Sequence, residues 1–568
     1  MAALTAIAAL AFTLAVPHAR AYDASTYAES SKLATGTWVK IQVTQSGIHE
    51  ITAQDASDWG LGSLDGVHIF GYGGAMLTEA ITSSMPDDLP QVPTVRKDGR
   101  LLFYAQGPTT WQAGVQGMPY VQQHNTYSTE GYYFVTNDSR FQDVAPTKAD
   151  NTVSTTAPAT TFTERIYHEK DLANTGQTGR TFLGEDFRSN SRQTFNFDLK
   201  GYVPGSEVMV RTVLSAKIMN ATGTITLQAN GEAMPSDGGD VISACTVSDH
   251  DHFRSTTSTK TFEMPGGSTA LAWMVNFPGA ANSLMARLDY ITVNYQRQLA
   301  LDGAQLQWGT PGTNPAALQV SGCQEGVTHV WDITDVLAPV EMNTRAEGTN
   351  LIFSPLRTGR REYVAWNETA TFARPTLAER VTNQNLHAEP VPDMIILAPT
   401  ELLSQARRVA TLHETRDTMR VLLVDHRLVF NEFSSGTPDF MAYRKLCKMF
   451  HDRGEQGGHK LGYLLLFGTG SYDNRLITSE VRNTAGPLLL TWQSESSQRE
   501  ETSYTSDDIL GVLGDDCTAE YYRYALDIAV GRMVAGNVTE ARTLVDKLYK
   551  YVTQPDYGAI REEREEQA

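Results

Sequence analysis

The sequence predicts a mixed fold: all-β regions of sandwich or barrel type, followed by a parallel α/β sheet covered on both faces. Three observations predict it. Residues 393–399 (DMIILAP), 419–425 (MRVLLVD) and 461–467 (LGYLLLF) are short, nearly continuous apolar runs, as strands buried on both faces require. Amphipathic stretches separate them, as crossover helices would. Upstream, short alternating runs recur between glycine-rich turns, the pattern of antiparallel β structure.

At 568 residues the chain is too long for a single core. Its expected divisions are a signal peptide at 1–21, an N-terminal β domain at 22–149, a second β-sandwich-like domain at 150–370 and an α/β domain at 371–568. A composition of 41% hydrophobic and 20% charged residues is globular and excludes a largely disordered chain. The formal net charge of −19 argues against nucleic acid as the main partner. Four scattered cysteines without a C-x-x-C pair suggest neither a zinc site nor a disulfide scaffold.

Residues 4–16 form an apolar run too short to span a bilayer comfortably, and Ala19, Arg20 and Ala21 set small residues two apart before Tyr22. This reads as an export signal, although no Lys or Arg precedes the run. In the first β region, 38–43 (WVKIQV), 47–51, 67–71 (VHIFG), 101–106 (LLFYAQ) and 132–135 (YYFV) read as strands. A Thr-, Ser-, Ala- and Pro-rich linker at 150–163 leads to further strands at 208–215, 224–229, 271–277 and 288–295.

In the α/β region, Leu403, Ala406, Val409, Ala410 and Leu412 give 401–414 the spacing of a helix. Thr437 as N-cap and Pro438 at the first helical position open another, with Phe440, Tyr443, Leu446, Cys447 and Phe450 on its buried face. Residues 527–530 (DIAV) enter Gly531 and Arg532 as a fourth strand. The last helix starts at the N-cap Asn537 and buries Ala541, Leu544, Val545, Leu548 and Val552. The final thirteen residues lose all apolar pattern, so the sheet is expected to stop unfinished.

Five groups of residues are candidates for chemistry. Gly468, Thr469, Gly470 and Ser471 follow a strand, where open α/β sheets bind ligands, but no third glycine opens a helix. A tight turn therefore outweighs a phosphate loop. His459 precedes a strand instead of ending one and reads as a solvent loop residue. Asp249, His250, Asp251 and His252 would put both histidines on one face of a strand, as metal ligands, or lie in an exposed loop. Asp507, Asp508, Asp515 and Asp516 gather the hard oxygens that calcium prefers, without the spacing of an EF-hand. Cys447 lies on the apolar face of an expected helix, Cys245 and Cys323 sit in β regions with no evident base nearby, and Cys517 follows two aspartates that would raise its pKa. None reads as an activated nucleophile.

A resemblance adds to this reading. NQNLH (383–387), NEFSSGTPD (431–439), KMFHDRG (448–454), YLLLFGTGSYD (463–473), SYTSDDILG (503–511) and DIAVGRM (527–533) occur together and in this order. Upstream stand FGYGGAML (70–77), YSTEGYYF (127–134) and GRTFLGEDF (179–187). Together they resemble the gingipain-type cysteine peptidases, and among them the cell-surface sortases of type IX secretion. The resemblance implies a caspase-like α/β domain, of which this chain holds the first half. It also implies a location at the outer membrane, and partners in secreted cargo with C-terminal signal domains and in outer-membrane secretion components. The implied reaction cleaves that signal domain and passes the cargo to a lipopolysaccharide acceptor. That is acyl transfer: a thiolate attacks, a histidine handles the protons, an amine takes the acyl group, and no cofactor is required.

The sequence departs from the family at the dyad, which there lies on a Gly-His-Gly turn and a later strand ending in Cys. The chain contains no Gly-His-Gly and no cysteine after Arg532. No catalytic residue is therefore assigned, and the expectation is a sortase truncated before its dyad and inactive as it stands. Two other readings remain open: a non-catalytic surface component of the secretion machinery, and an α/β enzyme of another class using the turn at 468–471.

Overall fold

The computed structural model describes residues 26–554, apart from 83–84, 116, 247–249, 313 and 515–522. The expected signal peptide, Asp249, Asp515, Asp516, Cys517 and the last fourteen residues lie outside the described residues.

In chain order the α/β region runs β1 (Met394–Ala398), α1 (Leu403–Arg416), β2 (Val421–Asp425), α2 (His426–Phe433), α3 (Phe440–Gly457), β3 (Tyr463–Phe467), α4 (Ser479–Thr484), β4 (Ala529–Met533) and α5 (Val538–Thr553). The strands are all parallel, in the order β2-β1-β3-β4. Alternation along β1 and β3 explains the continuous apolar runs. Ile395, Leu397, Leu464 and Leu466 enter the core shared with α2 and α3. Met394, Ile396, Leu465 and Phe467 point to the other face, under α1 and α5. Each such side chain contributes about 1.5–3 kcal/mol on burial.

Two expectations for this region change. Helix α3 begins at Phe440, and its N-cap is Asp439, whose carboxylate accepts from the Met441 amide. Thr437 is drawn away by tertiary partners: its hydroxyl donates to the Gly73 carbonyl and accepts from the Tyr132 amide. The second change is α2, which the periodicity did not reveal. Asp425, the last residue of β2, caps it by accepting from the Arg427 amide.

The upstream residues form three β units. The first contains the four-stranded sheet Thr376–Val381, Trp38–Val43, Gly131–Thr136, His68–Phe70, with Gly47–Thr52, Arg100–Ala105 and Thr94–Lys97 beside it. Its edge strand Thr376–Val381 lies beyond the boundary expected at 371, so the α/β unit begins after it. Residues 150–370 carry two cores. One fills the sandwich between the sheets containing Glu207–Lys217 and Ala270–Asn276. The other lies between the sheets containing Arg361–Asn367 and Asn350–Phe353. The stretch expected as a linker is tied down: the Ser154 amide donates to Ser354 Oγ and the Asn151 side chain to the Ser354 carbonyl.

The first β unit grips α3 through residues that carry the motif FGYGGAML. The Tyr72 amide donates to Ser435 Oγ, the Tyr72 hydroxyl to the Phe433 carbonyl, and the Leu77 amide to Asp439. Gly71 and Gly73 have φ of 118° and 80°, and a Cβ on Gly73 would stand 2.2 Å from the Gln106 carbonyl oxygen. Helix α3 is consequently buried all round from Phe440 to Phe450. Its cations Arg444, Lys445 and Lys448 donate to the backbone carbonyls of Val512, Pro86 and Leu513. Among the described residues no helix is long and apolar enough to cross a membrane.

Candidate functional site

In an open parallel sheet, ligands bind outside the carboxyl ends of the strands, beside the point where strand order reverses. Here that point lies between β1 and β3. The chain leaving β3 is fixed there by its own polar groups. The Gly468 amide donates to the Met533 carbonyl, and Asp473, fully buried, accepts from the Ile477 and Thr478 amides and the Thr478 hydroxyl. Gly470 packs so closely that a Cβ would stand 2.2 Å from Thr491 Cγ2. No helix begins at this turn, since α4 starts only at Ser479. The turn thus lacks the helix N-terminus that a phosphate loop uses.

A cleft of about 290 Å³ opens beside it, walled by Gly470, Ser471, Tyr472, Thr491, Thr505, Ser506, Asp507 and Arg532, with Gln177 reaching in from the sandwich. Arg532, on β4, donates from Nε and Nη2 to the two carboxylate oxygens of Asp507, at 2.7 Å each. This bidentate pair is mostly buried. It sets a neutralised but strongly polar wall at the strand ends.

The ends of β1 and β2 carry a second polar group. Thr400 and Arg427 both donate to Asp425. His426 Nδ1 and the Tyr443 hydroxyl are 2.8 Å apart. Burial lowers the His426 pKa to about 4, against the Asp425 charge, so the ring is neutral near pH 7. His426 is the strand-end histidine that sequence reading should have weighed. It follows the last residue of an apolar run directly, but the helix it starts was not recognised.

The other candidates are placed as follows. His459 is partly exposed in its loop, 3.0 Å from Asp393. His250 is exposed and 3.3 Å from Glu500, and His252 packs near Gly176. Asp251 between them is buried and paired with Arg254 at 2.8 Å, so the segment turns instead of presenting both rings from a strand. Asp507 is engaged by Arg532, and Asp508 is exposed next to it. Cys245, Cys323 and Cys447 are free and buried. Burial raises all three thiols, Cys323 to about 11 and Cys447 to about 12. Among the described residues, then, the site offers polar walls and a proton-poor histidine, and no activated thiol.

The motif GRTFLGEDF docks the sandwich against this site. The Gly179 amide donates to Gln493 Oε1, the Arg180 amide to the Ser494 carbonyl and the Thr181 amide to Ser497 Oγ. Arg180 also pairs with Glu79 and covers the Trp492 ring at 5.4 Å, while Trp492 Nε1 donates to Glu79. One residue from each of three units meets here.

Residues 387–564 match the family model for peptidase family C25. The crystal structure of dimeric latent PorU from Porphyromonas gingivalis superimposes with a TM-score of 0.85 at 29% identity, over 94% of this chain and 51% of that one. The chain therefore spans about half the length of PorU. Arthrobacter globiformis isomalto-dextranase complexed with panose aligns over 46% of this chain and 36% of its own at 12% identity, with a TM-score of 0.15, which carries no argument. There is no match among curated proteins.

Proposed function

We propose, on the premise that residues 387–564 are a peptidase family C25 domain, that this chain is the scaffold and substrate-holding part of a PorU-like cell-surface cysteine peptidase. In this reading the complete enzyme is a sortase of type IX secretion. A thiolate attacks the carbonyl that joins cargo to its C-terminal signal domain, and the signal domain leaves with a proton supplied by a histidine. An amine on lipopolysaccharide then takes the acyl group. The observation that carries the reading is the cleft at the carboxyl ends of β3 and β4, walled by the Asp507–Arg532 pair and roofed by Gln177. Such walls suit an extended peptide with polar backbone groups.

Among the described residues the cysteines are buried with raised pKa values, so in this reading the described part of the chain holds the substrate and supplies no attacking thiolate. The test is an assay of the purified 568-residue chain with a peptide spanning a cargo–signal junction. Binding without turnover is expected. Turnover abolished by a thiol alkylator would overturn the assignment. The same buried thiols favour a second reading, a non-catalytic surface component of the secretion machinery. Supplying the other half of PorU in trans separates the two: restored cleavage supports the sortase part, and binding that stays unproductive supports the second reading. Export to the cell surface predicts that protease added to intact cells removes the chain.

A further inference from the structure

Away from the parallel sheet, the three β units meet around a second and larger cleft, of about 740 Å³. Its character is mixed. Trp111, half-buried on the hairpin Thr109–Ala113 and Tyr120–His124, has the Arg165 guanidinium over its ring at 5.2 Å and Tyr167 against its edge at 5.7 Å. Arg165 donates from Nη1 and Nη2 to the two oxygens of Glu362, at 2.9 and 2.5 Å. Arg360 Nη2 adds a third bond to Glu362 at 3.0 Å. This makes a rigid, planar polar group beside an aromatic platform.

Beneath them lies an unsatisfied group. The fully buried Tyr120 hydroxyl has no hydrogen-bond partner among the described residues. The point that a Cβ on Gly309 would occupy is 2.9 Å from this hydroxyl, 2.9 Å from Glu362 Oε1 and 3.0 Å from Arg165 Nη1. Three polar atoms thus stand within 3.0 Å of one point, and leaving a buried hydroxyl unpaired costs about 1–3 kcal/mol.

We propose that this cleft binds a neutral oligosaccharide. Sugar rings present apolar C–H faces and rows of hydroxyls, which match the Trp111 and Tyr167 rings and the Arg165–Glu362–Arg360 group respectively. Both arginines are already engaged by Glu362, so an anionic ligand would have to displace a carboxylate. A peptide added as a strand is disfavoured as well. The strand Thr109–Ala113 pairs with one neighbour among the described residues, but Arg360 already donates to its Trp111 carbonyl and blunts that edge. The inference is independent of the peptidase reading, because no wall of this cleft belongs to the α/β region.

The experiment is titration calorimetry and saturation-transfer NMR on the full chain with cellohexaose, chitohexaose, mannohexaose and maltohexaose. At least one is expected to bind, with Trp111→Ala weakening it by about tenfold or more and leaving the melting temperature unchanged. Gln45→Trp, which fills the mouth from an exposed turn, is expected to do the same and serves if Trp111→Ala folds poorly. Failure of all four sugars to bind overturns the proposal. So does binding untouched by both substitutions, or binding at this cleft of an extended peptide and of no sugar.

Discussion

His387 Nδ1 lies 2.5 Å from Glu432 Oε2, and neither side chain has exposed surface. Asp87 Oδ2 stands 3.3 Å from the other ring nitrogen, and Phe433 stacks on the ring at 4.7 Å. Burial disfavours the charged ring, but the bonds to Asp87 and Glu432 outweigh it and raise the pKa to about 9. The contact between His387 and Asp87 joins the α/β unit to the first β unit. A histidine raised from about 6.5 stabilises the fold fully below that value, and the contribution is lost as pH rises through about 9. The melting temperature should therefore fall across that window. His387→Gln should remove the slope and cost on the order of 3 kcal/mol at pH 6. A wild-type melting temperature that stays level from pH 6 to 9.5 would sink this account.

Asp439 uses one oxygen to cap α3 and the other to hold the Leu77 amide of the first β unit. Asp439→Ala loses the cap, at about 1 kcal/mol, and orphans a second buried amide, at about 1–3 kcal/mol more. Asp439→Asn should fall between, because its amide nitrogen cannot accept. Urea unfolding of the three proteins ranks them.

Arg532→Lys should not be a conservative change. Lysine keeps the charge but cannot reproduce the two parallel bonds to Asp507, so the mostly buried carboxylate loses its bidentate partner. A loss of about 1–3 kcal/mol is expected, with weaker binding of a cargo–signal peptide at the same site. Peptide affinity equal to wild type would detach the pair from the cleft's function.

Native chain treated with iodoacetamide should keep Cys245, Cys323 and Cys447 unmodified, since burial both blocks access and suppresses the thiolate. In denaturant all three should alkylate rapidly. Mass spectrometry of the peptides reads each site separately, and fast native labelling of Cys447 would contradict its place in the core.

The parallel sheet was legible because its strands are buried on both faces, and a run such as IILA at 395–398 has few other uses. The N-cap at Asn537 was legible because it is a local signal answered three residues later by the Glu540 amide. What escaped was decided at a distance. Thr437 has the sequence of a helix cap, yet Gly73 and Tyr132 claim its hydroxyl across some three hundred residues, and Asp439 caps instead. The cleft wall escaped for the same reason: Asp507 looked like one member of an acidic run, and only folding brings it to Arg532. Helix α2 was hidden because its cap, Asp425, reads as the end of a strand.

The strand Thr376–Val381 pairs antiparallel with Trp38–Gln42 across one shift of register between Lys40 and Ile41, closing the first sheet with a segment roughly 340 positions away. A chain appearing amino end first would hold that sheet open while both middle units complete themselves. Until the late strand arrives, Trp38–Val43 presents bare amides and carbonyls to any other extended segment. The order of synthesis and the order of assembly are thus opposed at this edge, and a chaperone that masks it would act on a contact that can form only late.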